Sequence, residues 1–265
     1  MITAWLPDIP ADTPTWWYVL ALGLGVLVIG IAKAGFGGGI GILAVPLVAN
    51  ALPAERAIGV MLPILIFADL FSVYSHRRAV SWHHLRPLLV GALLGVALGT
   101  VVLWSFQDTG RLTWALNLMV GGVCVLLVAL QLFRLAGGHV PRIPPGSVGG
   151  CLSGTLAGVV STIAHAAGPV VNLYLLEQQL NKARLVATMV VFFLVLNCMK
   201  LPTYFTLGLI NTRTAVESVL FAVFVPVGIV VGLWMHRRLA EKPFTVIMYL
   251  GAAAAGGRML YKALL

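Results

Sequence analysis

The chain has 265 residues, of which 60% are hydrophobic and only 9% charged, well below the about 25% charge of soluble domains. This excludes a soluble globular protein and leaves no length over for a separate soluble domain. The formal net charge of +9 does not point to nucleic acid, because in a membrane protein the placement of basic residues matters more than their sum.

Residues 1–14 contain Asp8 and Asp12 and no basic residue. They lack the positive region of a secretory signal and are expected to form a short external tail. Apolar segments then follow at about 16–34, 40–53, 57–75, 85–106 and 112–135, and again at about 146–163, 166–178, 184–208, 214–235 and 243–264. Runs of about 20 apolar residues are long enough to cross a hydrocarbon layer as helices. The expected fold is therefore an all-α polytopic membrane protein of ten segments, eight long and two short. Two five-segment repeats divide it, 1–143 and 144–265.

The first segment runs into Lys33 to Pro46, K-A-G-F-G-G-G-I-G-I-L-A-V-P, which holds five glycines. Glycine permits non-helical backbone and close approach of a ligand. In lipid, such backbone is tolerated only against protein or a watery cavity, so a break between helices at a buried polar site is predicted. A second, weaker break lies at Ser161 to Pro169, S-T-I-A-H-A-A-G-P. Each break precedes the short segment of its half, and short or interrupted segments at matching places are a pointer to a transporter's binding site.

The halves also match by residue. Gly39 pairs with Gly168, Arg56 with Arg184 and Asp69 with Asn197 at offsets of 129, 128 and 128, and Gly95 and Gly99 pair with Gly228 and Gly232 at 133. With an external N-terminus and ten crossings, ten of the 17 basic residues fall in cytoplasmic loops, five fall outside, and Lys33 and Lys200 lie within the membrane. This bias obeys the positive-inside rule, and five crossings per half make the repeats inverted. Re-entrant short segments would put a strongly basic loop outside, at 76–86 or 236–242. Gly91, Gly95 and Gly99, like Gly154 and Gly158, repeat every four residues, as close helix contact requires. Trp16, Trp17, Tyr18, Trp82, Trp104 and Trp234 suit an interfacial aromatic belt.

Ionisable side chains within spans are functional candidates by default. Lys33, one turn before the glycine run, either snorkels to the interface or faces the break, where it and the exposed N–H groups of the next helix would favour an anion. The candidate binding residues are Lys33, Gly35, Phe36, Gly37, Gly38, Gly39, Thr162, His165, Gly168 and Asn172. Asp69, Asn197 and Lys200 are coupling or gating candidates. Lys200, one turn beyond Asn197, is the expected partner of Asp69, as a structural ion pair or a coupling device. His76, His83 and His84 lack the spacing that puts two imidazoles on one helix face, and Cys124, Cys151 and Cys198 read as small hydrophobes. No metal, cofactor or enzyme motif is expected.

The stretch K-A-G-F-G-G-G-I-G with Val45 and Pro46, then L-P-x-x-R-A-I-G at Leu52 to Gly59, and N-K-A-R-L-V-A-T after the second break together resemble the TauE/SafE family of sulfite and organosulfur anion transporters. The resemblance covers nearly the whole chain. The second stretch departs from it, with His165, Ala166 and Ala167 where the family commonly has more glycine. It implies secondary transport of small sulfur anions, such as sulfite or sulfonates, across the bacterial inner membrane. Proton or sodium coupling is open, as is a monomer or a homodimer. A passive anion channel of the same fold is the alternative.

Overall fold

The computed structural model describes residues 9, 13–34, 40–76, 79–107, 110–138, 143–238 and 241–265. Every regular element among them is helical. In order these are α1 (Thr15–Lys33), a short 3-10 turn (Ile40–Leu43) running into α2 (Ala44–Ala49), α3 (Ala54–His76), α4 (Trp82–Gln107), α5 (Leu112–Leu135), α6 (Gly146–Ala164), α7 (Gly168–Glu177), α8 (Lys182–Met199), α9 (Leu201–Thr206), α10 (Thr212–Ala222), α11 (Phe224–Arg238) and α12 (Glu241–Leu264).

Local chemistry accounts for the ends. The Asn181 side chain accepts from the Arg184 N–H and starts α8. Asn211 and Thr214 close a reciprocal capping box that starts α10. Pro202 has no N–H to bond the Cys198 carbonyl, so the helical ladder is interrupted at Lys200 between α8 and α9. Pro226 likewise cannot bond the Ala222 carbonyl, and α10 and α11 bend by 41° at that point.

Six helical stretches are long and apolar enough to cross a membrane: Thr15–Lys33, Ala54–Tyr74, Trp82–Gln107, Leu112–Leu135, Gly146–Ala164 and Lys182–Thr206. The bent pair α10 and α11 makes a seventh when counted as one span. This is fewer than the ten segments read from the sequence. The short segments contain helices of only 6 and 10 residues, α2 and α7, and ten residues rise only about 15 Å, half of a hydrocarbon core. α12 is not among the candidates, its apolar surface being diluted by alanine, glycine, Arg258 and Lys262.

The helices pack through glycine. The largest helix contact is α4 on α6, followed by α5 with α12 and α1 with α11, while α3 and α8 meet in between. In the α4–α6 contact Gly95 faces Gly158, and a β-carbon on Gly158 would lie 2.6 Å from the Ala92 carbonyl oxygen. In the α1–α11 contact Gly30 faces Gly228, and a β-carbon on Gly228 would lie 2.6 Å from the Leu27 carbonyl oxygen. The expected stripe of Gly91, Gly95 and Gly99 is thus the seam against α6. The opposite face of α4 exposes Leu93, Leu94, Leu98, Val101 and Trp104, an apolar surface suited to lipid. Backbone in van der Waals contact supplies the association that the hydrophobic effect cannot supply between helices in lipid.

Replacing Gly158 by leucine is expected to force α4 and α6 apart and destabilise the protein by about 1–3 kcal/mol or more. The melting temperature of detergent-solubilised protein measures this. Gly122→Ala, where an added β-carbon meets nothing within 4 Å, should leave it nearly unchanged.

Candidate functional site

The two breaks deliver polar groups to one place. Lys33 ends α1, and its Nζ forms an ion pair with Asp69 of α3. The same ammonium lies 4.6 Å from the centroid of the Phe193 ring, close enough for a cation–π contact. The other Asp69 oxygen accepts from Asn197 Nδ2 of α8 at 2.7 Å. Asp69 is completely buried, while Lys33 keeps 14% of its side chain exposed.

The expected contact of Asp69 with Lys200 is therefore replaced by Lys33 and Asn197. Lys200, fully buried, contacts three other groups: the Ser161 carbonyl oxygen at 3.3 Å, Ser161 Oγ at 3.0 Å and His165 Nδ1 at 2.7 Å. It thus holds the second break in place. His165 caps α6 with φ 52°, a left-handed conformation uncommon outside glycine. Its Nε2 lies 3.0 Å from the Ile58 carbonyl oxygen. A carbonyl only accepts, so Nε2 carries the proton and Nδ1 accepts from Lys200. The Tyr204 hydroxyl donates to the Thr162 carbonyl at 2.8 Å and pins the end of α6.

Between these groups lies a cavity of about 50 Å³. Lys33, Ser161, His165 and Asn197 are its polar lining. Gly168 and Ala167 at the start of α7, and Gly41, Ala44 and Val45 at the start of α2, form part of the wall. Lys33 is the one lysine or arginine on that wall among the described residues, and no carboxylate lines it there. Asp69 sits behind Lys33, outside the cavity lining.

Lys33, His165, Gly168 and Asn197 thus come together at the cavity. Thr162 does not line it: its hydroxyl bonds the Gly158 carbonyl and its side chain packs on Gly99. Asn172, one turn into α7, is also absent from the lining. Gly35, Phe36, Gly37, Gly38 and Gly39 lie outside the described residues. Among the described residues no group of three or more metal-ligating side chains occurs.

A second buried charge cluster was not anticipated. Arg56 at the start of α3 forms an ion pair with Glu217 of α10, with Nε 3.1 Å from Oε2. Tyr18 donates to the same carboxylate at 2.5 Å. Tyr18, expected in the aromatic belt, is buried, and so is Arg56. The available signal was Glu217 itself, a carboxylate in the apolar run A-V-E-S-V-L-F-A-V-F.

Several apolar helices long enough to cross a membrane define a multi-pass membrane protein. The family model described as sulfite exporter TauE/SafE matches residues 22–259, and the chain belongs to that family. The family is one of membrane transporters, which implies export of sulfite or a related anion across a membrane. Neither the curated proteins nor the solved structures include a match.

Removing one member of the Arg56–Glu217 pair leaves an uncompensated buried charge, at a typical cost of about 3–5 kcal/mol. Glu217→Ala is accordingly expected to lower the melting temperature sharply. Tyr18→Phe removes a single hydrogen bond to that charged group and should cost about 1.5–3 kcal/mol. Thermal unfolding of both variants in detergent checks the order.

Proposed function

We propose that the protein is a secondary transporter that binds a small sulfur-containing anion, sulfite or a short sulfonate, at the Lys33 cavity and exposes it alternately to the two sides of the membrane. The observation that carries this reading is the wall itself, where among the described residues Lys33, a side chain 14% exposed, is the one charged lining group, its partner Asp69 being buried behind it. The start of α7 at Ala167 and Gly168 adds backbone N–H groups and the positive end of a helix dipole, which favour an anion. Ser161, His165 and Asn197 supply further polar contacts. The small volume suits a small ion: at roughly 10–15 Å³ per water, it accommodates a few atoms of the size of sulfite's sulfur and three oxygens.

Alternating access draws support from the packing. Gly30 on Gly228 and Gly158 on Gly95 are equivalent contacts if residues 30 and 158 are repeat mates at offset 128, as 69 and 197 are. The contacts α3–α8 and α5–α12 map onto themselves when the halves are exchanged. Such a contact scheme fits two inverted repeats that rock against each other around a fixed site. Asp69, Asn197 and Lys200 would tie that site to the moving helices. The family resemblance points to the bacterial inner membrane as the place of this transport.

The test is uptake of labelled sulfite and a short sulfonate by proteoliposomes, with unlabelled anion preloaded in half of them. Saturable uptake accelerated by the preloaded anion is expected of the carrier. Linear flux without counterflow would establish a passive channel instead. The double variant Lys33→Gln, Asp69→Asn removes both charges and so leaves no bare carboxylate. It should reduce uptake about tenfold or more, given the strength of hydrogen bonds to charged groups.

A further inference from the structure

The anion and Asp69 require the same ammonium. Lys33 faces the cavity and is partly exposed, whereas Asp69 is fully buried behind it. An anion drawn to Lys33 therefore competes with a carboxylate whose one other hydrogen bond shown is to the neutral amide of Asn197. Two anions on one lysine repel each other, and a buried carboxylate that loses its cation takes up a proton rather than remain charged. From these relations we propose that anion binding at Lys33 transfers Asp69 to its protonated form, so that one proton is bound with each anion.

A hydronium ion of the solvent gives up the proton: one of its O–H bonds breaks and leaves water, and an O–H bond forms on Asp69 as the ion pair with Lys33 gives way, with no change of oxidation state. Asn197 suits both states. Its amide N–H donates to the carboxylate in the present arrangement, and its amide oxygen can accept from the carboxylic acid after a flip. Asn197 also lines the cavity, which puts the proton acceptor one contact from the anion. The other charged and titratable groups that act on Asp69 are Lys200 and the Cys198 thiol at the end of α8. Glu217 on α10 is engaged by Arg56 and Tyr18, the Cys124 thiol of α5 donates to the Ala252 carbonyl, and α2 carries no titratable side chain. His165, across the cavity, is held by Lys200 and Ile58.

This coupling rests on the anion-binding reading above, and the experiment separates the two. Sulfite and thiosulfate are titrated calorimetrically into the purified full-length protein and into Asp69→Asn, in two buffers of different ionisation enthalpy. The number of protons taken up per anion is read from the buffer dependence of the heat. Thiosulfate does not titrate near neutral pH, and sulfite's own protonation cancels in the difference between the two proteins. The expected result is about one proton more per anion for the wild type than for Asp69→Asn. For thiosulfate, wild-type affinity should also weaken about tenfold per unit rise in pH, whereas that of the variant stays flat.

Binding by the wild type with the same proton count as Asp69→Asn overturns the coupling and leaves the anion site standing. Absence of binding of either anion to both proteins overturns the site, and the coupling with it. Asp69→Asn preserves shape and can hydrogen-bond Asn197, and its melting curve verifies that it folds.

Discussion

A charge in a hydrocarbon layer has no solvent to stabilise it, and the ion pair of Lys33 with Asp69 meets that constraint within the protein. Its members belong to α1 and α3, and Asn197 brings in α8. One cluster thus fixes where three spanning helices stand relative to one another. The constraint also explains where α1 stops. The break allows a second helix to begin beside the charge, and His165 at φ 52° achieves the same between α6 and α7. The left-handed residue is held there by Lys200 and the Ile58 carbonyl, so the unfavourable backbone is secured by the same groups that form the site.

Around this cluster the bundle is held mainly by shape. Gly30 on Gly228, Gly95 on Gly158 and Gly121 against Gly256 bring helix backbones into contact. Glycine seams are less strongly locked than interdigitated large side chains, because they present smooth surfaces. The buried Arg56–Glu217 pair with Tyr18 is the contrasting device, a directional tie between α1, α3 and α10.

Much of the site was legible because a polar residue in an apolar run must be accounted for. Lys33, Asp69, His165 and Lys200 stand out on that ground alone, and the membrane nature of the fold follows from 9% charge. The partners were harder. Lys200 is one helical turn from Asn197, so proximity along the chain favoured it as the mate of Asp69. The actual partner, Lys33, comes from another helix and was identifiable only as a charge lacking a partner of its own. Glu217 escaped notice because Arg56, its counter-ion, sits at a helix start that reads as a loop. Hydropathy likewise registers apolar length but not backbone direction. It therefore counted α2 and α7 as segments without showing that each is too short to cross, and it could not separate a bent α10–α11 from a straight span.

At the offset of 128 that relates Asp69 to Asn197, Lys33 corresponds to Ser161 and Ser72 to Lys200. All six side chains are buried or partly buried, and Lys33, Ser161 and Asn197 line the cavity. Here the first half contributes the ammonium facing the cavity together with its carboxylate. The second half contributes a serine on the wall and a lysine withdrawn behind His165. The cavity is therefore polarised, with the charge on the α1 side and hydrogen-bonding groups on the α6 side.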